Sequence, residues 1–253
     1  MARVADEPHA LCQGCRHFEP LFAAGRCRPG DACVRTHSGR QIDRFLRANP
    51  EEAVAYLHDL FWERRAIAVR YAPREAILPL MHDADEIVRR NVALRLPADR
   101  LAAMASDPAP EVRIAVAEKA ELPLLERLAG DDDYRVRVVA ATRLPHSRLL
   151  RLASDAEREV RKVLARRLPA FALFRLAGDV EAEVRVIVAG RALPGLAATL
   201  LRDEDWCVRL HAAERAPLDC LAPLLDDPEE DVRTVVRRRL AGADHRNEAR
   251  KTP

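Results

Sequence analysis

Cys12, Cys15, Cys27 and Cys33 form a C-x2-C-x11-C-x5-C pattern within 22 residues. Thiolates crowded in this way can close around a metal centre, and soft sulfur donors select iron–sulfur clusters or zinc. Structural zinc sites often pair two short C-x2-4-C knuckles. Only Cys12 and Cys15 have that spacing, and the wider Cys27–Cys33 interval suits a larger cluster. Spacing alone leaves [4Fe–4S] and zinc both open, with disulfides or free thiols as a third outcome. Gly14, Gly25 and Gly30 would let backbone N–H groups approach the sulfurs. His9, His17 and His37 lie close enough in sequence to replace a ligand, but four cysteines suffice and the histidines read as ordinary surface residues. Cys207 and Cys220 lie far down the chain and read as free thiols.

Composition limits what else the chain can be. It has 253 residues, 49% apolar and 32% charged, enough for a continuous core. A net charge of +2 gives no global field for nucleic acid or membrane, and 4% aromatics offers few rings for base stacking. No apolar run is long enough to span a membrane, and the start MARVADEPHA lacks a signal-peptide core. A cytoplasmic, reducing location is therefore expected, in which clustered cysteines point to metal.

The rest of the chain is periodic. Asp83, Asp107, Asp131, Asp155, Asp179, Asp203 and Asp227 recur every 24 residues, and a Val-Arg pair keeps the same step from Val88-Arg89 to Val232-Arg233. A fixed period of this size indicates a stacked repeat array. The unit D-x-x-x-x-V-R-x-x-V-A-x-R-L-P-x-x-x-L-x-x-L-A-x begins as a helix. Its Asp is placed to cap the first turn, as in Asp227-Pro228-Glu229-Glu230. Val88, Val92 and Leu96 share one side of that helix, and Pro97, Pro145, Pro169 and Pro217 end it. Pro123 and Pro194 are read as terminators with a small offset. Leu pairs three apart, such as Leu149 and Leu152, then suit a short 3₁₀ segment. The domains predicted are 1–58, a cysteine domain with flanking helices; 59–242, eight repeats with the last incomplete and a degenerate first repeat at Asp59; and 243–253, a polar disordered tail.

The arginine ladder (Arg65, Arg89 and their equivalents through Arg233) falls inside the apolar arc of the helix wheel. A buried guanidinium needs partners, and the Asp ladder supplies one per repeat. A second basic column, Arg95, Lys119, Arg143, Arg167, Arg191, Arg215 and Arg239, lies at the rim and reads as solvated. Residues 134–176 hold eleven Arg/Lys against three Asp/Glu, and residues 177–232 hold five against thirteen. This contrast suggests a docking surface, with Arg135, Arg143, Arg158, Arg166 and Arg167 as candidate partner-binding residues.

A four-cysteine segment followed by 24-residue D-x-x-x-x-V-R-x-x-V-A-x-R-L-P units resembles the iron–sulfur leucine-rich repeat variant family of nitrogen-fixing bacteria. The resemblance covers nearly the whole chain. It implies a [4Fe–4S] cluster on cysteines matching Cys12, Cys15, Cys27 and Cys33, and favours iron–sulfur over zinc. It also implies an all-α, right-handed superhelical solenoid of alternating α- and 3₁₀-helices without β-sheet. The family supplies no settled activity. The chain holds no nucleophile–base set, phosphate loop or C-x3-C-x2-C radical motif, so a non-enzymatic role is expected. The favoured role is a protein-interaction scaffold whose cluster is structural or senses redox state or oxygen. The alternatives are nucleic-acid binding through the basic central repeats, or electron transfer.

Overall fold

The computed structural model describes residues 10–249, with side chains through residue 242. Among these residues every regular element is helical, and the backbone pairing of Arg28 with Ala32 is an isolated bridge. The chain divides into two compact units, Met1–Leu124 and Leu125–Pro253. The first unit contains the cysteine segment together with the first repeats. Its helix Gly39–Ala48 buries Ile42, Phe45 and Leu46 completely and packs on Trp62–Tyr71, the long helix of the first repeat.

Long and short helices alternate in both units. In the first, the long helices Trp62–Tyr71, Glu86–Arg95 and Pro110–Ala117 pack in succession. In the second, Tyr134–Arg143, Arg158–Arg167, Ala182–Arg191, Trp206–Ala213 and Glu230–Ala249 do the same. The i, i+4, i+8 positions read from the sequence form the core: Val160, Leu164 and Leu168 are at most 1% exposed. Each such side chain contributes about 1.5–3 kcal/mol by leaving water.

Proline sets the helix ends. Leu96, Leu144 and Leu168 precede prolines and adopt extended backbone, with ψ of 147°, 143° and 145°, because the proline ring disfavours the helical region for the residue before it. Pro123 and Pro194 behave differently from expectation. They lie at the start of the short helices Leu122–Leu128 and Pro194–Leu200, where a missing N–H is tolerated, and in these two repeats the short helix is α rather than 3₁₀. The last helix runs to Ala249, so residues 243–249 continue it instead of forming the expected tail. Ala241 stands where most repeats carry the terminating proline, so nothing stops the helix there. Residues 250–253 lie outside the described residues.

The Asp ladder does not cap the helices. Each long helix begins about three residues later, and the capping position is held by Asp85, Asp133 or Asp205 where a side-chain cap is made. The periodic Asp instead accepts the N–H two residues on and pairs with the arginine one repeat back. Asp155 Oδ1 takes the Glu157 N–H at 2.9 Å, while Arg137 Nε and a terminal nitrogen each donate to the two carboxylate oxygens at 2.8 Å. Arg65–Asp83, Arg89–Asp107, Arg161–Asp179, Arg185–Asp203 and Arg209–Asp227 repeat this two-pronged geometry. Each of these arginines also donates to the main chain at the start of its own repeat, as Arg137 does to the Asp131 carbonyl at 2.9 Å. One side chain thus ties a repeat to the next.

The second basic column is not simply solvated. Arg167 donates to the carbonyls of Ala141 and Leu144 at 2.6 and 2.7 Å, and Arg239 does the same to Ala213 and Ala216. Arg95, Lys119, Arg191 and Arg215 reach equivalent carbonyls. A cation at the C-terminal end of a neighbouring helix satisfies acceptors the helix leaves open and complements its dipole. Arg167→Ala is expected to lower stability by about 1–2 kcal/mol in urea unfolding, whereas Arg166→Ala, on an exposed side chain of the same turn, is expected to change little.

Candidate metal centre

The cysteine segment is built from tight turns. A single 3₁₀ turn, Ala10–Cys12, leads into the Cys15 N–H to Cys12 carbonyl bond at 3.1 Å. A five-residue π-helical turn, Phe18–Phe22, follows, and its Leu21 carbonyl receives the N–H groups of Arg26 and Cys27 at 2.8 and 3.1 Å. Cys33 donates its N–H to the Gln41 carbonyl at 3.2 Å, fixing the fourth cysteine to helix Gly39–Ala48. Gly14, Gly25 and Gly30 have φ of 65°, 71° and 81° and are the only described residues in the left-handed region. Each is within three residues of a cysteine, where the chain must reverse tightly. Their role in the turns is thereby clear.

Cys12, Cys27 and Cys33 are 7%, 4% and 4% exposed, Cys15 is half-buried, and none is in a disulfide. The four sulfurs influence one another. Burial first, then Cys33, Cys15 and Cys12, pushes the Cys27 thiol up to about 11. Burial, Cys33 and Cys15 raise Cys12, and Arg35 opposes them. Thiols that are buried and mutually resist ionisation become favourable ligands when a cationic centre neutralises them. Among the described residues no three His, Cys, Asp or Glu side chains form a group that could hold a metal ion. Four cysteine sulfurs are a donor set that an iron–sulfur cluster accepts.

Sequence reading missed two supports of this segment. His17 is 3% exposed instead of a surface residue. Its Nε2 lies 2.5 Å from the Tyr56 hydroxyl, and its ring packs 5.0 Å from that of Phe45. Burial lowers its pKa against the opposing pull of Glu52. Arg64, in a column where other repeats carry valine, pairs with Asp59 at 3.0 Å and donates to the Arg35 and Thr36 carbonyls beyond Cys33. The loss of valine there was the available signal. A charged residue replaces a core residue where the neighbour is the cysteine segment and not another repeat. His37 is exposed with its ring edge-on to Phe61; His9 lies outside the described residues.

The five candidate partner-binding arginines differ in their surroundings. Arg167 is engaged with carbonyls, and Arg158 lies within 4 Å of Glu159, Glu181 and Glu183. Arg135 pairs with Asp133 at 3.1 Å. Arg143 and Arg166 are exposed on their respective helices.

Residues 9–55 match the family described as "LRV protein FeS4 cluster". With the alternating helices behind it, this segment defines an iron–sulfur helical repeat protein. A solved structure described as "a leucine-rich repeat variant with a novel repetitive protein structural motif" is 51% identical, over 89% of this chain and 97% of that one, with a TM-score of 0.86. The chain belongs to the leucine-rich repeat variant family. A Rhodobacter capsulatus protein described as "Uncharacterized 27.7 kDa protein in nifB 3'region" is 37% identical over 87 residues, 34% of this chain. The match spans 35% of that relative's length. No described helix is long and apolar enough to cross a membrane.

Proposed function

We propose that Cys12, Cys15, Cys27 and Cys33 hold a [4Fe–4S] cluster, and that the repeats dock a protein partner in a manner governed by the state of that cluster. The observation that supports this most is the set of four free, mutually interacting thiols, three of them buried, within the matched cluster segment. When bound, such a cluster supplies one-electron redox chemistry and sensitivity to oxygen. The chain buries Cys12, Cys27 and Cys33. Among the described residues, a hollow of about 310 Å³ lined by Gly14, Arg16, Arg35 and Tyr56 opens onto Cys15. Arg16 and Arg35 place positive charge at this mouth, opposite in sign to a thiolate-ligated cluster. Arg64 and the packing of Gly39–Ala48 on the first repeat connect the segment to the array, so a change at the cysteines has a physical route to the repeats.

Anaerobically purified protein is expected to be brown, with a broad absorption near about 400 nm from sulfur-to-iron charge transfer and iron and sulfide in equal amounts. A colourless zinc protein would overturn the cluster assignment. Affinity capture with intact and with oxidised protein is expected to recover a partner preferentially in one state; equal recovery in both would sink the sensing role and leave the cluster structural. Nucleic-acid binding through the basic central repeats is the alternative, and it predicts oligonucleotide affinity falling steeply with salt.

A further inference from the structure

Within the second unit, four short segments recur one repeat apart: His146–Leu149 with Leu150–Leu152, Ala170–Leu176, Pro194–Leu200, and Leu218–Cys220 with Ala222–Asp226. Their outward side chains change character in order. The first is basic, with Arg148 and Arg151 exposed beside Leu150; Arg148 reaches Glu126 at 2.9 Å yet stays 59% exposed. The second is aromatic. Phe171 and Phe174 are 73% and 59% exposed, and three-residue spacing puts both on one side of a 3₁₀ helix. The third is small: Gly195, Ala198 and Thr199 stand one period after Phe171, Phe174 and Arg175. The fourth is acidic, with Asp219 and Asp226 exposed. Between the third and fourth lies a hollow of about 540 Å³ lined in part by Ala198, Thr199, Arg202, Asp219, Cys220 and Pro223, so that an arginine and an aspartate both border it.

We infer that this face is a two-fold interface with a second copy of the chain, in which Phe171 and Phe174 of each copy seat against the Gly195–Ala198–Thr199 segment and adjoining hollow of the other. The order of the segments carries the inference. A two-fold axis between the second and third segments sets the first against the partner's fourth and the second against the partner's third. Basic then meets acidic, and bulky meets small, and each match occurs twice. A closed two-fold contact requires this self-complementarity of a single patch. Two exposed phenylalanines on one short helix also mark a surface that gains by being covered. Arg175, its guanidinium 5.3 Å from the Phe174 ring centroid, travels with the aromatic pair toward the partner's hollow, where Asp219 is available to it. The inference goes beyond the cluster and docking reading and does not depend on it.

The test is sedimentation velocity on the intact, anaerobically purified chain over a concentration series. The mass is expected to rise from monomer to dimer. Phe171→Ala/Phe174→Ala is expected to stay monomeric over the same range with unchanged helical signal and melting, since both rings are exposed. Arg148→Glu/Arg151→Glu and Asp219→Lys/Asp226→Lys are each expected to self-associate at least about tenfold more weakly, because like charges then face each other. An equimolar mixture of the two is expected to regain wild-type association, since the mixed pair restores opposite charges at both contacts. A wild-type chain that remains monomeric throughout would overturn the inference and assign the face to a different partner. A dimer indifferent to Phe171→Ala/Phe174→Ala would place the interface elsewhere, and a mixture that fails to recover would overturn the antiparallel register. The docking reading is judged separately, by capture at matched redox states.

Discussion

Asp155→Ala is expected to destabilise the fold by about 3–5 kcal/mol, the cost of leaving one member of a buried ion pair without the other. Asp155 and Arg137 have side chains 6% and 15% exposed, and their two parallel bonds are each 2.8 Å. Alanine removes both, together with the acceptor for the Glu157 N–H. Arg137 keeps its bonds to the Asp131 and Asp132 carbonyls, so it stays in place with its charge uncompensated. Urea unfolding of the variant against the parent measures the loss; a cost below about 1 kcal/mol would show the pair to be dispensable. A double variant, Arg137→Met/Asp155→Leu, is expected to recover part of it, because no charge then remains buried. The same rungs set the acid limit. For Asp83, Asp107, Asp155 and Asp203, burial pushes the carboxyl pKa up, but bonds from arginine and a backbone N–H outweigh it and the net shift is down; for Asp227 the Arg209 bond dominates. A depressed folded-state pKa contributes stability above the unfolded carboxyl value of about 3.9, and that contribution is lost as pH falls below it. The gap between Asp155→Ala and parent should therefore be full at neutral pH and narrow in acid.

The ladder shows what periodicity can and cannot reveal. The helix wheel placed Arg137 and its equivalents within the apolar arc, which is enough to demand a partner, and the recurring Asp supplied a charge of opposite sign with the same period. Periodicity does not say where helical backbone begins. The Asp starts no helix because its carboxylate is fully used by the arginine one repeat back and the N–H two residues on; the capping position that follows varies among Asp85, Ala109, Asp133, Glu157, Glu181 and Asp205. The second basic column was visible, but its use was not, because the carbonyls it reaches lie 23 to 26 residues back on a neighbouring helix. At the cysteine segment the thiols were legible from spacing. The burial of His17 was not, since it depends on Tyr56, 39 residues away. Nor did charge counting find the outward face of the second unit. The windowed excess pointed to five arginines, of which Arg167 is held by carbonyls of the preceding repeat, and passed over Phe171 and Phe174, which are exposed.

Cys27→Ser is the substitution expected to remove the cluster most completely. Cys27 is 4% exposed and its backbone is fixed by the Leu21 carbonyl, so the chain has little freedom to offer another donor from the same place. Serine supplies a harder oxygen poorly matched to iron–sulfur chemistry, and a buried hydroxyl without a partner adds its own penalty. Iron content and visible absorption of the anaerobically purified variant should both fall to background. Cys15→Ser should be milder, because Cys15 is half-buried at the open mouth where solvent can complete the coordination. Cys207→Ser and Cys220→Ser should retain the parent's iron, since both lie in the second unit and outside the matched segment 9–55. The loss should also be local. Ligand bonds contribute folding free energy directly, while a repeat array is stabilised mainly by contacts between neighbours. Hydrogen-exchange protection is therefore expected to fall in residues 10–58 of Cys27→Ser and to persist in the long helices of the second unit. Full iron retention in this variant would remove Cys27 from the ligand set. Loss of protection throughout both units would show that the cluster supports the whole array, and would assign it a structural role in place of a sensing one.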